Sequence, residues 1–176
     1  MFCYRITKYN PVYRDPQGIY LKDEWIMFSQ IGKVFEGEVL TLDHYLKAEN
    51  AYIEAILLFM DCLNITSLCI KKLEQAKKPT SHMLRAVGGT ELFKTIKEDV
   101  SADKELIEVI TRLILRDQMW CRLKSPEMYV HFGWDYYMFI GSRNGSKNSC
   151  KHIINTIEGL NLFVEPKKSP YPYFRI

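Results

Sequence analysis

The sequence predicts a single α+β domain over residues 1–176, with a largely antiparallel sheet packed against several helices. The length of 176 residues fits one domain, since domains usually run to roughly 100–200 residues. Hydrophobic residues at 47% and charged residues at 26% describe a chain that buries a core and not a disordered one. Strand-like and helix-like segments are mixed along the chain without regular β-α alternation, with no internal repeat or low-complexity stretch, and that arrangement belongs to the α+β class. A chain of this size buries roughly two thirds of its unfolded surface, so its core needs no covalent staples.

The elements follow in turn. Residues 2–9 alternate as a strand, and Pro11 marks its end or an edge position. Asp15-Pro16-Gln17-Gly18 is a turn with Asp at its first corner and Gly at its fourth, so the extended run at residues 19–28 is expected to fold back on the first strand as a hairpin. Gly32 and Gly37 mark a loop into the first helix, where Thr41 is the N-cap. Leu42, Tyr45, Leu46, Tyr52, Ile53, Ile56, Phe59 and Met60 then recur at helical spacing, and Asn64 stands at the C-terminal cap. Residues 66–73 read as a strand with Leu68 and Ile70 on one side. After the break at Lys77, Lys78 and Pro79, Thr80 or Ser81 caps a short helix, Gly88-Gly89 interrupts it, and Thr90 caps another. Ser101 is expected to start a helix with Leu106, Ile107, Val109, Ile110, Leu113 and Ile114 inward. Strands at residues 119–124, 128–132 and 136–140 follow, the last two joined by Gly133-Trp134-Asp135. A helix at about 146–158 ending at Gly159, a strand at 160–164 and an extended strap from Pro166 complete the chain.

Several function classes are set aside by composition. The 24 Lys and Arg against 21 Asp and Glu leave a formal charge of +3, too mild to name a nucleic-acid binder. Cys3, Cys62, Cys69, Cys121 and Cys150 have no zinc-type spacing, and they are expected to be reduced thiols of a cytoplasmic protein. The start, Met1-Phe2-Cys3-Tyr4-Arg5, has no apolar signal core. The longest apolar stretch, residues 55–60, is far below the ~20 residues of a membrane span.

Catalytic signals are sparse, and the sequence calls for no cofactor or metal. His131 precedes Asp135, which could orient it, but a catalytic pair needs a nucleophile or second base that the sequence does not supply. Cys150 and His152 stand two apart on a helix and point in different directions. Gly141-Ser142-Arg143-Asn144-Gly145-Ser146-Lys147-Asn148-Ser149 fails the P-loop pattern twice, in the glycine spacing and in placing Ser146 before Lys147. The aromatic run Trp134-Asp135-Tyr136-Tyr137-Met138-Phe139 could stack bases, yet alternate strand residues face opposite ways and half of these belong to the core.

Charge is divided unevenly along the chain. Residues 1–61 carry nine acids and six bases, a balance of −3, while residues 62–176 carry 18 bases and 12 acids, a balance of +6. Asp15, Asp23, Glu24, Glu36 and Glu38, with Tyr20 and Trp25 among them, form a candidate patch for a basic partner.

The same N-terminal region carries a resemblance. Arg5-Ile6-Thr7-Lys8-Tyr9-Asn10-Pro11-Val12-Tyr13-Arg14-Asp15, Gly18-Ile19-Tyr20, Lys22-Asp23-Glu24-Trp25 and Ser29-Gln30-Ile31-Gly32-Lys33 together resemble bacterial immunity proteins against polymorphic toxins, including those of contact-dependent growth inhibition. Leu40-Thr41, Tyr45-Leu46, Glu49, Tyr52-Ile53 and Ala55-Ile56 continue it, and the segment from Tyr129-Val130-His131-Phe132-Gly133-Trp134 to Gly141 is similar to that family's C-terminal signature. Ile26-Met27 departs from the small polar residues of that pattern. The resemblance implies a non-enzymatic inhibitor that binds the C-terminal domain of one cognate toxin in the cytoplasm. Such a toxin is often a nuclease, and transfer RNA is a frequent target. It implies no direct contact with nucleic acid or membrane. The toxin-binding surface is then expected at Asp15, Tyr20, Asp23, Glu24, Trp25, Glu36 and Glu38. The alternatives are a small phosphate- or nucleotide-binding enzyme using His131, Asp135 and the Gly141 to Ser149 loop, or an RNA-binding module.

Overall fold

The computed structural model describes residues 2–85, 87–142 and 150–167. The chain opens on β1 (Phe2–Thr7) and passes through a small hairpin, β2 (Val34–Phe35) and β3 (Glu38–Val39), into the long helix α1 (Leu42–Cys62). Next come β4 (Ser67–Gln75), α2 (Ser81–Arg85), α3 (Gly89–Thr95), β5 (Ser101–Asp103) and α4 (Lys104–Leu115). The last third holds β6 (Met119–Lys124), β7 (Met128–Phe132), β8 (Met138–Ser142), α5 (Lys151–Glu158) and β9 (Phe163–Pro166). The fold is α+β. Seven strands form one sheet in the order β5-β4-β6-β7-β8-β1-β9, and every neighbouring pair is antiparallel.

Register explains how the core is built. Tyr4, Ile140, Val130, Leu123 and Ile70 stand opposite one another across five strands, so they share one face of the sheet. All five are buried. This row belongs to the same apolar core as α1, whose Phe59 ring lies 6.0 Å from Tyr4 and 6.2 Å from Phe2. The next row along the strands faces the other way and is polar except for Phe139: Arg5, Phe139, His131, Arg122 and Lys71. α4 packs beside α1, and its buried Ile107, Ile110, Leu113 and Ile114 repeat at helical spacing. No helix among the described residues is long and apolar enough to cross a membrane.

Helix α1 has a defined start and stop. The Thr41 hydroxyl accepts a hydrogen bond from His44 N at 3.2 Å, satisfying a donor of the first turn. At the other end Asn64 takes a left-handed conformation (φ 54°), and Ile65 N returns to Met60 O at 2.8 Å to close the last turn.

The structure corrects five local expectations. The segment 19–28 does not pair with β1 as a hairpin, because both edges of β1 are already taken, by β8 and β9. The glycine-marked loop before α1 contains the β2–β3 hairpin, turned by Glu36 and Gly37, both at positive φ. Ser101 opens the short strand β5, and Asp103 caps α4 by accepting from Leu106 N at 2.9 Å. Gly88, not Thr90, occupies the N-cap of α3, at φ 106°. Cys62 and Cys150, expected as thiols, are joined in a disulfide with Cα atoms 5.9 Å apart, a span typical of such a bond. The end of α1 and the start of α5 meet across 88 residues of sequence, a contact that local spacing does not reveal. The start of the final helix, residues 146–149, and the strap beyond Lys167 lie outside the described residues.

Candidate functional site

Between β1 and α1 the chain makes a long excursion, residues 8–41, built from turns instead of sheet. Asn10 Oδ1 accepts from Val12 N at 3.1 Å and starts a 3₁₀ turn at Pro11–Tyr13. The Asp15-Pro16-Gln17-Gly18 turn forms as expected: Gly18 N bonds Asp15 O at 2.9 Å, and Ile19 N bonds the Asp15 carboxylate at 2.8 Å. A second 3₁₀ turn, Phe28–Gln30, leads to the β2–β3 hairpin.

Lys8 fastens this excursion to the body. Its side chain is only 7% exposed, and its ammonium lies 3.0 Å from Glu24 Oε2. The same nitrogen sits 4.0 Å from the Tyr9 ring centre and 4.1 Å from that of Trp25. Burial pushes the Lys8 ammonium down to about 8, while Glu24 pulls it the other way. The Tyr20 hydroxyl donates to the other oxygen of Glu24, and its ring packs 4.9 Å from Tyr9. Trp25 stacks 5.5 Å from Tyr45 and edge-on at 5.0 Å to Tyr136. Tyr52 Oη, deep in α1, accepts from Lys8 N at 2.8 Å and donates to Tyr136 O at 2.6 Å.

In front of this assembly lies a cleft of about 300 Å³, lined by Asp23, Glu24, Trp25, Phe35, Glu36, Glu38, Val39, Leu40 and His44. Five of the seven residues expected at a toxin-binding surface therefore converge on one concavity. Tyr20 stands behind it through Glu24, and Asp15 belongs to the outer turn. Lys22 holds Glu36 at 2.6 Å and lies over the Tyr13 ring, so the ion pair of Glu36 is internal to the excursion. Among the described residues no ion pair engages Asp23 or Glu38. The cleft thus offers carboxylates to an ammonium or guanidinium group.

Apolar exposure is concentrated on the same segment. Val12, Tyr13, Ile19, Leu21, Ile26, Met27, Val34, Val39 and Leu42 are exposed, and among the described residues only Val100 and Trp134 add to them outside this stretch. Exposed apolar groups ringed by charge are the usual mark of a protein-binding surface.

The residues of the enzyme alternative are placed differently. His131 is 2% exposed on β7, with the Trp120 ring edge-on at 5.2 Å. Burial, aided by Arg122, pushes its imidazole down to about 4, so it is neutral at pH 7. Asp135 lies in the β7–β8 turn at φ 53°. Gly141, expected in a loop, is part of β8: a Cβ there would come within 2.2 Å of the Tyr129 ring, so close packing demands the glycine. Residues 143–149 of that loop lie outside the described residues. In the aromatic run, Trp134 is 89% exposed, whereas Tyr136 and Met138 are buried. Among the described residues no group of three or more His, Cys, Asp or Glu side chains is placed to hold a metal ion.

Sequence reasoning missed Lys8, because its place between the Tyr9 and Trp25 rings is made by the fold and not by their order in the chain. It also missed a second concavity involving Ile26, Met27 and Trp134. No family model, no curated protein and no solved structure matches the chain.

Proposed function

We propose that the chain is a non-enzymatic inhibitor that binds a bacterial toxin domain through the excursion between β1 and α1. The toxin fitting this reading is a nuclease with a basic face, and one acting on transfer RNA belongs to that class. The observation that carries the reading is that one stretch, residues 12–42, holds both a carboxylate-lined cleft and most of the exposed large apolar side chains among the described residues. Apolar anchors supply most of the binding energy in such contacts, and rim carboxylates mainly set the association rate.

Charge reversal tests it, provided the fold is spared. Glu24 is unsuitable, because reversal would place a second cation against buried Lys8. Asp23→Lys, Glu36→Lys and Glu38→Lys together leave that anchor alone. Tagged protein from its native host should co-purify with a toxin domain. The triple variant should associate with it at least tenfold more slowly at low salt, with the melting temperature held within a few degrees. Unchanged association, or protection of cells equal to the parent at matched low expression, would refute this surface.

A further inference from the structure

The ribbon at residues 23–27 serves two concavities. Asp23, Glu24 and Trp25 line the acidic cleft, whereas Ile26 and Met27 line a separate groove of about 680 Å³. Trp120 and the exposed Trp134 also line that groove, and the last turn of α4 closes part of it. Its size falls within the roughly 300–1,000 Å³ of ordinary binding sites.

The charge of the groove runs against that of the molecule. Glu74, Asp117 and Asp135 line it and, among the described residues, no Lys or Arg does, although Arg122 stands 5.7 Å over the Trp120 ring; the formal charge of the chain is +3. Arg116, at the adjoining end of α4, cannot compensate them. Its guanidinium is turned into the core, with Nε and Nη2 each 2.6 Å from Glu49. The carbonyl end of α4 adds partial negative charge at the same place. Burial pushes the Asp117 carboxyl up, a cost that an incoming cation would offset.

We propose that this groove docks an extended apolar segment of a protein partner bearing lysine or arginine. The cations meet Glu74, Asp117 and Asp135, and the apolar side chains cover Ile26, Met27 and Trp134. This rests on the reading of the chain as a protein-binding inhibitor and gives it a second contact surface. A small cation or a nucleic acid fits less well, the first because it leaves Ile26 and Met27 uncovered, the second because the groove is acidic.

The experiment uses the full chain labelled with 5-fluorotryptophan, whose three ¹⁹F resonances are assigned with Trp25→Phe, Trp120→Phe and Trp134→Phe. Titration with an alternating Leu-Arg octapeptide should shift Trp134 and Trp120 saturably. An alternating Leu-Glu octapeptide should not, nor should free arginine at the same arginine concentration. Glu74→Gln with Asp117→Asn and Asp135→Asn should weaken the peptide at least tenfold. Trp134→Ser, at a side chain outside the core, should weaken it as well, read on Trp120. Asp23→Lys with Glu38→Lys should leave the Trp134 shift in place. A shift confined to Trp25, equal effects of the Leu-Glu peptide or of free arginine, or unchanged affinity in the amide variant overturns the proposal. Because no toxin is present, a chain that binds the Leu-Arg peptide as described but captures no toxin keeps the groove and loses the inhibitor reading.

Discussion

Glu49 is fully buried in α1 and is held by two arginines of the neighbouring helix end. Arg112 Nη1 reaches it at 2.6 Å, and Arg116 grips both carboxylate oxygens at 2.6 Å. Removing Glu49 strands the buried Arg116 guanidinium without a counter-charge, whereas Arg112 keeps Glu108 at 2.7 Å. Glu49→Gln should therefore lower unfolding free energy by about 3–5 kcal/mol, read by denaturant titration. His131 makes the opposite kind of statement, because its native form is neutral. The unfolded chain binds a proton on this side chain near pH 6.5 and the folded chain only near 4. Its contribution is complete above pH 6.5 and is lost as pH falls toward 4, on the order of 3 kcal/mol in all. In His131→Gln the plot of stability against pH should be flatter over that window, by up to about 1.4 kcal/mol per pH unit. Equal slopes in the two proteins would rule out the shift.

Elements were legible where local chemistry decides them. α1 declared itself through Thr41, the spacing of Tyr45, Tyr52, Ile56 and Phe59, and Asn64, and each of these does in the structure what its type suggests. β6, β7 and β8 were legible for the same reason, although the turn consumes Tyr136 and Tyr137 and delays β8 to Met138. The excursion was not legible as such. Residues 19–28 have strand-like composition, and only the occupation of both β1 edges by distant strands keeps them out of the sheet. The acidic cleft was visible because its carboxylates are close in sequence. The groove was hidden because its walls come from residues 26–27, 74–76, 114–120 and 131–136. The disulfide was hidden likewise, and it carries its own test. Without reductant, the denatured protein should expose three thiols, from Cys3, Cys69 and Cys121, and with reductant all five. Closing so long a loop should be worth about 4.6 kcal/mol in the chain-entropy model, so Cys62→Ser should melt well below the oxidised parent.

At the scale of the whole molecule, the excursion is attached without joining the sheet. The turn and loop backbone hydrogen bonds of residues 10–40 stay within that segment. Its fastening to the body runs through side chains, among them Tyr9, Arg14, Trp25 and Phe28. Apart from Thr41 at the α1 cap, its outward side chains contribute to neither the α-helix caps nor the register of the main sheet. Substitutions at exposed positions of this kind usually change stability by less than about 0.5 kcal/mol. Heritable change is thereby uncoupled from folding: a lineage can exchange Val12, Ile19, Leu21 or Glu38, or lengthen the turn after Asp15, without sliding any strand of the main sheet. A protein so divided can alter its outward surface residue by residue while handing the same scaffold to its descendants.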